Sequence, residues 1–192
     1  MTGFLRIVLA FMRNSGDSIH VSCKKAGYRA QMEQIDRYDL KILAQLQGDG
    51  RLTNNELSEL IALSPSQCSR RRTRLEAEGF IHGYRAVLDR GRLGLDLMVV
   101  IAVTLATHNR DNAKRFAALI ADLPEVLECY ALTGEMDYHL KVVTPDLAGL
   151  SRFVNDVLLP HDSVQHVKTS IVLATLKDFQ GLPVQQRSRP YA

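Results

Sequence analysis

The chain has 192 residues, of which 46% are hydrophobic, 23% charged and only 6% aromatic, with no Trp and a formal net charge of +3. At roughly 100–200 residues per domain this allows one large domain or two small ones, and the composition is not that of a collagen-like, disulfide-rich or disordered chain. The one apolar run near the start, Phe4 to Met12, is interrupted by Arg6. It falls short of the ~20 residues that a membrane span needs and lacks the small-residue cleavage pattern of a signal peptide. Cys23, Cys68 and Cys129 are odd in number and widely spaced, which argues against a disulfide framework and a zinc site. We read the chain as cytoplasmic, with no membrane association.

Charge is unevenly spread: residues 1–32 carry a net +4, 33–95 a net +1, 96–176 a net −4 and 177–192 a net +2. Within the near-neutral stretch the positive charge is concentrated at Arg70, Arg71, Arg72 and Arg74. Like charges packed so densely meet an anion or lie on a solvated helix face.

Residues 1–31 show no sustained period of 2 or 3.6, which predicts an extension rather than a domain, and Met32 just before the first patterned segment raises the prospect of a mis-assigned start codon. From Asp36 to Gln47, Leu40, Ile42, Leu43 and Leu46 recur at helical spacing behind a candidate N-cap at Asp36. Gly48-Asp49-Gly50 breaks that helix. Thr53-Asn54-Asn55-Glu56 is a capping box that opens a short second helix carrying Leu57, Leu60 and Ile61. Ser64-Pro65-Ser66-Gln67 is another, with Pro at the first helical position, where a missing N–H costs nothing. A third helix therefore runs from Pro65 to Glu78, and Gly79 is placed to end it in the left-handed conformation. Three helices with a short turn between the second and third make a helix-turn-helix pattern.

Phe80 to Leu88 predicts two short strands around His82-Gly83, a wing. Asp89 to Gly94 predicts a linker. Beyond it the pattern reads as a strand over Leu97–Ala106, a helix carrying Ala113, Phe116, Ala117 and Ile120, strands over Val126–Leu132 and Tyr138–Thr144, a helix over Leu147–Leu158 and a last strand over Val164–Leu176. The order βαββαβ is that of a ferredoxin-like antiparallel sheet with both helices on one face. The other face still carries Val, Ile and Leu, so a second sheet or subunit is expected to cover it. The fold class is α+β: a winged helix-turn-helix over 32–88, a linker over 89–96, a ferredoxin-like domain over 97–180 and a tail over 181–192.

In a helix-turn-helix the start of the second helix of the pair enters the major groove. Ser64 caps that helix; Ser66, Gln67, Ser69 and Arg70 are its early exposed positions and suit base edges, and Arg71 and Arg74 suit phosphates. The alternative is a solvated helix with i,i+4 pairs between Arg72 and Glu76 and between Arg74 and Glu78. Arg72 lies beside the buried stripe, so its stem is expected to pack while its guanidinium escapes to the surface. His161, Asp162 and His166 lack the further ligand a metal site wants, and His139, Cys68 and Cys129 suit sheet and core positions. Neither a Ser/His/Asp order, a phosphate-cradling Gly loop nor an HExxH is present. No catalytic residue, metal or cofactor is indicated.

Asp39 to Leu43, Leu63 to Cys68, Arg70-Arg71, Arg74-Leu75-Glu76, Glu78-Gly79, Ile81 and Gly83-Tyr84 closely resemble the DNA-binding domain of Lrp/AsnC transcriptional regulators. Gly94, the βαββαβ order and Thr133-Gly134-Glu135-Met136-Asp137-Tyr138 resemble that family's effector-binding and oligomerisation domain. The departures are Arg72, where members usually carry Val or Ile, and residues 1–31. The resemblance implies a nucleoid-associated regulator that binds double-stranded DNA as a homodimer, assembling further to octamers, and responds to a small effector, an amino acid in many members. It also implies that the effector sits near Thr133, Gly134, Glu135, Met136, Asp137 and Tyr138. Backbone N–H groups at Thr133 and Gly134 could hold a carboxylate, Asp137 an ammonium, and Tyr138 could shape the pocket; a plain hairpin turn would explain Gly134 and Asp137 equally. Two rivals share the architecture: an enzyme resembling siroheme decarboxylases, and an architectural DNA-binding protein without effector.

Overall fold

A computed structural model describes residues 35–184 apart from His108. The expected extension at 1–31, and everything past 184, lie outside the described residues. The described chain divides into two compact units, one formed by 35–87 together with 177–184 and the other by 88–176.

The first unit is built on α1 (Arg37–Gly48), α2 (Asn54–Ile61) and α3 (Pro65–Ala77). Each helix opens on the expected cap. Asp36 accepts hydrogen bonds from the N–H groups of Tyr38 and Asp39 at 2.8 and 3.0 Å, and Asp39 Oδ2 accepts from Asp36 N–H at 3.0 Å. Thr53 N–H donates to Glu56 at 2.7 Å and Ser64 N–H to Gln67 at 3.2 Å, so both boxes close and leave fewer helix-end amides without a partner. Ile42, Leu46, Leu57, Ile61, Cys68 and Leu75 form one buried cluster between the three helices. Gly79, at φ +74°, ends α3 as expected.

Ala62 occupies the turn between α2 and α3 with φ 57° and ψ 51°, left-handed although it is not a glycine. Its Cβ costs about 1–2 kcal/mol there, of which glycine's extra freedom in the unfolded chain would return about 0.4–1 kcal/mol. Ala62→Gly is therefore expected to stabilise this unit by roughly 0.5–1 kcal/mol in urea unfolding; a loss of stability would show that the turn carries no strain.

The expected wing strands over Phe80–Leu88 do not form: residues 81–89 carry no strand. Phe80 and Ile81 both donate their N–H groups to Leu75 O, at 2.9 and 3.1 Å, so the amides that would begin a hairpin close the end of α3 instead. A two-stranded hairpin without a further strand is only marginally stable in water. At the other end of the chain, Leu182 meets the last turn of α1, its N–H donating to Gln47 Oε1 at 2.5 Å and its carbonyl accepting from Gln47 Nε2 at 3.0 Å. Gly181 makes this approach possible with φ +96°; a Cβ there would stand 2.7 Å from Gln47 Oε1.

The second unit runs β1 (Leu97–Leu105), α4 (Arg110–Ala121), β2 (Val126–Ala131), β3 (Tyr138–Thr144), α5 (Leu147–Arg152) and β4 (Val164–Ile171). The strands form one sheet in the order β2-β3-β1-β4, antiparallel throughout, which is the expected ferredoxin-like plan. Two elements differ from expectation. The second helix changes character at Phe153 and continues to Leu158 as a π-helix, with Leu159 N–H donating to Val154 O, five residues back, at 2.9 Å. The last strand ends at Ile171 rather than Leu176, because β1, its neighbour, begins at Leu97: Val172 N–H reaches Met98 O at 2.9 Å, and among the described residues no strand lies beyond to pair with.

Val99, Ile101, Val103, Leu105, Leu140 and Val142 point from the sheet into a core closed by Phe116, Leu150, Phe153 and Leu158. Side-chain alternation sends Met98, Val100, Ala102 and Val143 to the opposite face, where cross-strand pairing sets Glu128 beside Lys141, and Tyr130 beside His139. That face is less apolar than expected, since the Ile and Leu residues of the central strands turn towards the helices. No helix among the described residues is long and apolar enough to cross a membrane.

Candidate nucleic-acid interface and effector loop

Helix α3 buries Cys68 and Leu75. At 3.6 residues per turn, about 100° each, Ser66, Arg70, Thr73 and Ala77 lie within about 40° of the direction opposite those two. Ser66, Gln67, Arg70 and Thr73 are exposed and Ser69 is half-buried. The outward face therefore exists and is polar. Thr73 belongs to it, although the early-turn rule applied to the sequence passed over it.

The four arginines are not equivalent. Arg71 Nη1 lies 2.8 Å from Asp39 Oδ1 and 2.8 Å from Asp36 Oδ2, and Arg74 Nη2 lies 2.6 Å from Asp39 Oδ2. Asp39 is only 1% exposed, so these bonds hold a carboxylate on the inner face of α1 and join α1 to α3. The sequence carried a sign of this: Asp39, Ile42 and Leu46 share the buried stripe of α1, and a carboxylate on such a stripe needs a cationic partner. Burial raises the Asp36 carboxyl, but the Asp39 N–H, the Arg71 guanidinium and the Tyr38 N–H together outweigh it and hold the group below its ordinary value.

Arg72 does not escape to the surface as expected. Its Nη1 donates to Leu52 O at 2.9 Å and its Nε to Tyr84 Oη at 3.0 Å and Glu76 Oε1 at 3.2 Å. Both i,i+4 contacts considered for a solvated helix are present, Arg72 to Glu76 at 3.2 Å and Arg74 to Glu78 at 3.9 Å. Arg70 is different. It is exposed, and no hydrogen bond or ion pair involves it among the described residues. With Asp36, Asp39, Arg71 and Arg74 it lines a shallow recess on the surface. At the start of the helix, the Gln67 amide is engaged in the capping box and the Ser66 hydroxyl lies 3.1 Å from that of Ser64.

In the second unit, Thr133, Gly134 and Glu135 are exposed and Met136 half-buried. A Cβ added at Gly134 would meet nothing within 4 Å, so the loop has open space before it. Asp137 is buried, its Oδ2 accepting from Leu105 N–H at 2.7 Å while its own N–H donates to Val103 O at 3.0 Å. Its carboxylate thus ties the loop to the end of β1, where a bulge interrupts the pairing with β4. Tyr138 turns its ring inward, 4.8 Å from that of Phe116; burial is the first cause that raises its phenol above the ordinary value. The structure therefore brings Thr133, Gly134 and Glu135 together at the surface and places Asp137 and Tyr138 beneath them. Asp137→Ala would leave the buried Leu105 N–H without that acceptor, at a cost of about 1–3 kcal/mol. Urea unfolding is expected to show this loss, with Asp137→Asn retaining most of the stability because its amide oxygen can accept the same bond.

A helix-turn-helix unit with an outward polar helix, together in one chain with a ferredoxin-like unit that carries an open loop, defines a DNA-binding regulator that carries a ligand-binding domain. A family model described as a winged helix-turn-helix DNA-binding domain matches residues 35–82, and one described as the Lrp/AsnC ligand binding domain matches residues 98–182. The leucine-responsive regulatory protein of Salmonella typhimurium is 36% identical over 155 residues, 81% of this chain and 94% of that protein. A transcriptional regulator from Neisseria meningitidis, solved in complex with L-Met, superposes with a TM-score of 0.76 at 45% identity, covering 78% of this chain and 97% of that one. An AsnC family regulator from Agrobacterium tumefaciens does so with a TM-score of 0.74 at 31% identity, covering 78% and 97%. The chain belongs to the Lrp/AsnC family of DNA-binding transcriptional regulators and is not an enzyme.

Proposed function

We propose that this regulator meets the major groove with the outward face of α3, led by Arg70, and that a free amino acid held at the 133–138 loop is its effector. The observation that carries the DNA reading is the contrast along α3: Arg71, Arg72 and Arg74 are engaged within the unit, whereas Arg70 stands outward without a partner among the described residues. Ser64, Ser66, Gln67, Ser69 and Thr73 flank it on the approach. Arg71 and Arg74 remain phosphate neighbours through donors not spent on Asp39, since each guanidinium carries five N–H groups. The complex forms in the cytoplasm, on the nucleoid.

The effector reading is supported by the open space before Gly134 and by the L-Met carried by the Neisseria relative. Exposed backbone N–H groups at Thr133 and Gly134 suit a carboxylate. With Asp137 engaged on Leu105 N–H, the exposed Glu135 is the acidic side chain available to an ammonium group. On the face of the sheet that no described helix covers, the half-buried Met98 and Val100 favour a second copy of the chain, giving a homodimer that can assemble further to octamers.

A duplex selected from a random library by the wild-type protein, followed by fluorescence anisotropy across a salt series, tests the DNA reading. Arg70→Ala is expected to weaken binding about tenfold and to flatten preference at one base position, with thermal unfolding unchanged. Unaltered affinity and preference would refute the role of Arg70. Titration calorimetry of the free amino acids, with L-methionine among them, tests the effector reading; heat from none of them, or heat unaffected by Glu135→Ala, would refute it.

A further inference from the structure

The position of Arg72 is unlike that of the other three arginines. It lies about 50° from the buried direction of α3, with 22% of its side chain exposed. There it joins three stretches of chain. Its Nη1 holds the carbonyl of Leu52, in the segment that enters α2; its Nε holds Glu76, one turn along α3; and the same Nε holds Tyr84, beyond the end of α3. The guanidinium also lies over the Tyr84 ring, 4.8 Å from its centroid, and Tyr84 Oη donates to Glu76 Oε1 at 2.7 Å. On its other side the ring rests against Gly50, where a Cβ would come within 2.9 Å of Tyr84 Cδ1. A planar guanidinium can satisfy all of these partners at once, which an aliphatic side chain cannot do.

The consequence concerns the segment after Ile81. It has no strand ladder to fix it, His82 and Arg85 are exposed on it, and Val87 is fully exposed. Tyr84 is the point at which this segment is held. We propose that Arg72 is a positioning residue: through Tyr84 it holds His82–Arg85 beside the recognition helix, so that Arg85 forms a second, fixed contact with the DNA backbone in place of the ladder that a wing would supply. A phosphate contact from a fixed residue contributes to affinity, whereas the same residue on a loose segment must first be ordered and contributes less. The inference rests on the outward face of α3 meeting the duplex, and Arg70→Ala reports on that reading separately.

The experiment uses the full-length protein and the duplex selected by the wild type, with anisotropy read across a salt series. Arg85→Ala is expected to weaken binding roughly tenfold and to lower the slope of log affinity against log salt by about one. Tyr84→Phe keeps the ring and removes the hydroxyl that Arg72 and Glu76 share; Arg72→Met removes the guanidinium. Each is expected to weaken binding severalfold. In the Arg72→Met background, Arg85→Ala should cost less than about twofold, since residues that act through one arrangement are not additive. Arg72→Lys, which cannot bridge Leu52 and Tyr84 in one plane, should behave like Arg72→Met. Additive losses from Arg72→Met and Arg85→Ala would overturn the proposal, as would full affinity in Tyr84→Phe. A lowered salt slope in Arg72→Met with Arg85 already replaced would overturn it too, by showing that Arg72 meets a phosphate itself. Should Arg72→Met fail to fold, the same cycle between Tyr84→Phe and Arg85→Ala decides the matter.

Discussion

Replacing Arg71 and Arg74 together by Ala is expected to destabilise the helical unit by about 3–5 kcal/mol, a large share of a small domain's stability. Asp39 is 1% exposed and receives Arg71 at 2.8 Å and Arg74 at 2.6 Å. Once both guanidiniums are gone, the partner left to its carboxylate in this network is the Asp36 backbone N–H at 3.0 Å, which neutralises no charge. A carboxylate left in such surroundings must open a path to water or pull α1 away from α3. The loss is also expected to exceed what surface ion pairs give, because exposed pairs contribute about 1 kcal/mol or less. Urea unfolding followed by far-ultraviolet circular dichroism measures it, with Arg70→Ala as the comparison that should stay within about 0.5 kcal/mol of wild type. A combined loss below about 1 kcal/mol for Arg71→Ala with Arg74→Ala would mean that the ion pairs do not govern the packing of α1 on α3.

Phe116→Ala is expected to cost about 3–5 kcal/mol in the second unit. The side chain is fully buried on α4, within the cluster that closes one face of the sheet, and its ring lies 4.8 Å from that of Tyr138. The truncation leaves a cavity directly under the residue that follows Asp137. The loop at 133–138 should therefore loosen, and amino-acid affinity should fall even where the protein is still folded. Phe116→Leu keeps most of the volume and should cost less than about 1.5 kcal/mol. Urea unfolding together with calorimetric titration separates the two effects. Stability within about 1 kcal/mol of wild type in Phe116→Ala would show that the site collapses without strain, against the close packing assumed here.

Local rules carried much of the fold. The caps at Asp36, Thr53 and Ser64 were legible because each is a contact between residues three apart, and the strand order followed from the alternation of apolar runs with helical spacing. The two strands expected over Phe80 to Leu88 were misjudged for a physical reason: the segment has the composition of a hairpin, but whether its first amides bond across a turn or back to Leu75 O depends on how α3 ends. The same limit applied to the arginines. The sequence located a dense positive cluster at 70–74, and spacing marked Arg70 as outward. It did not divide Arg71 and Arg74 from Arg70, because their partner Asp39 lies 32 and 35 residues away. Asp137 and Tyr138 were likewise legible as the junction of a turn with β3, but their burial against Leu105 and Phe116 is set by strand register and by α4, at distances along the chain that no motif spans.

The grip of Gln47 on Leu182 spans 135 residues. During synthesis the three helices can pack long before Leu182 has left the ribosome, so α1 presents the side-chain amide of Gln47 to water until then. The final form of the helical unit thus depends on a residue made 135 positions after Gln47, and a chain released early, at Leu176 for instance, would carry a helical unit whose end is left unclasped.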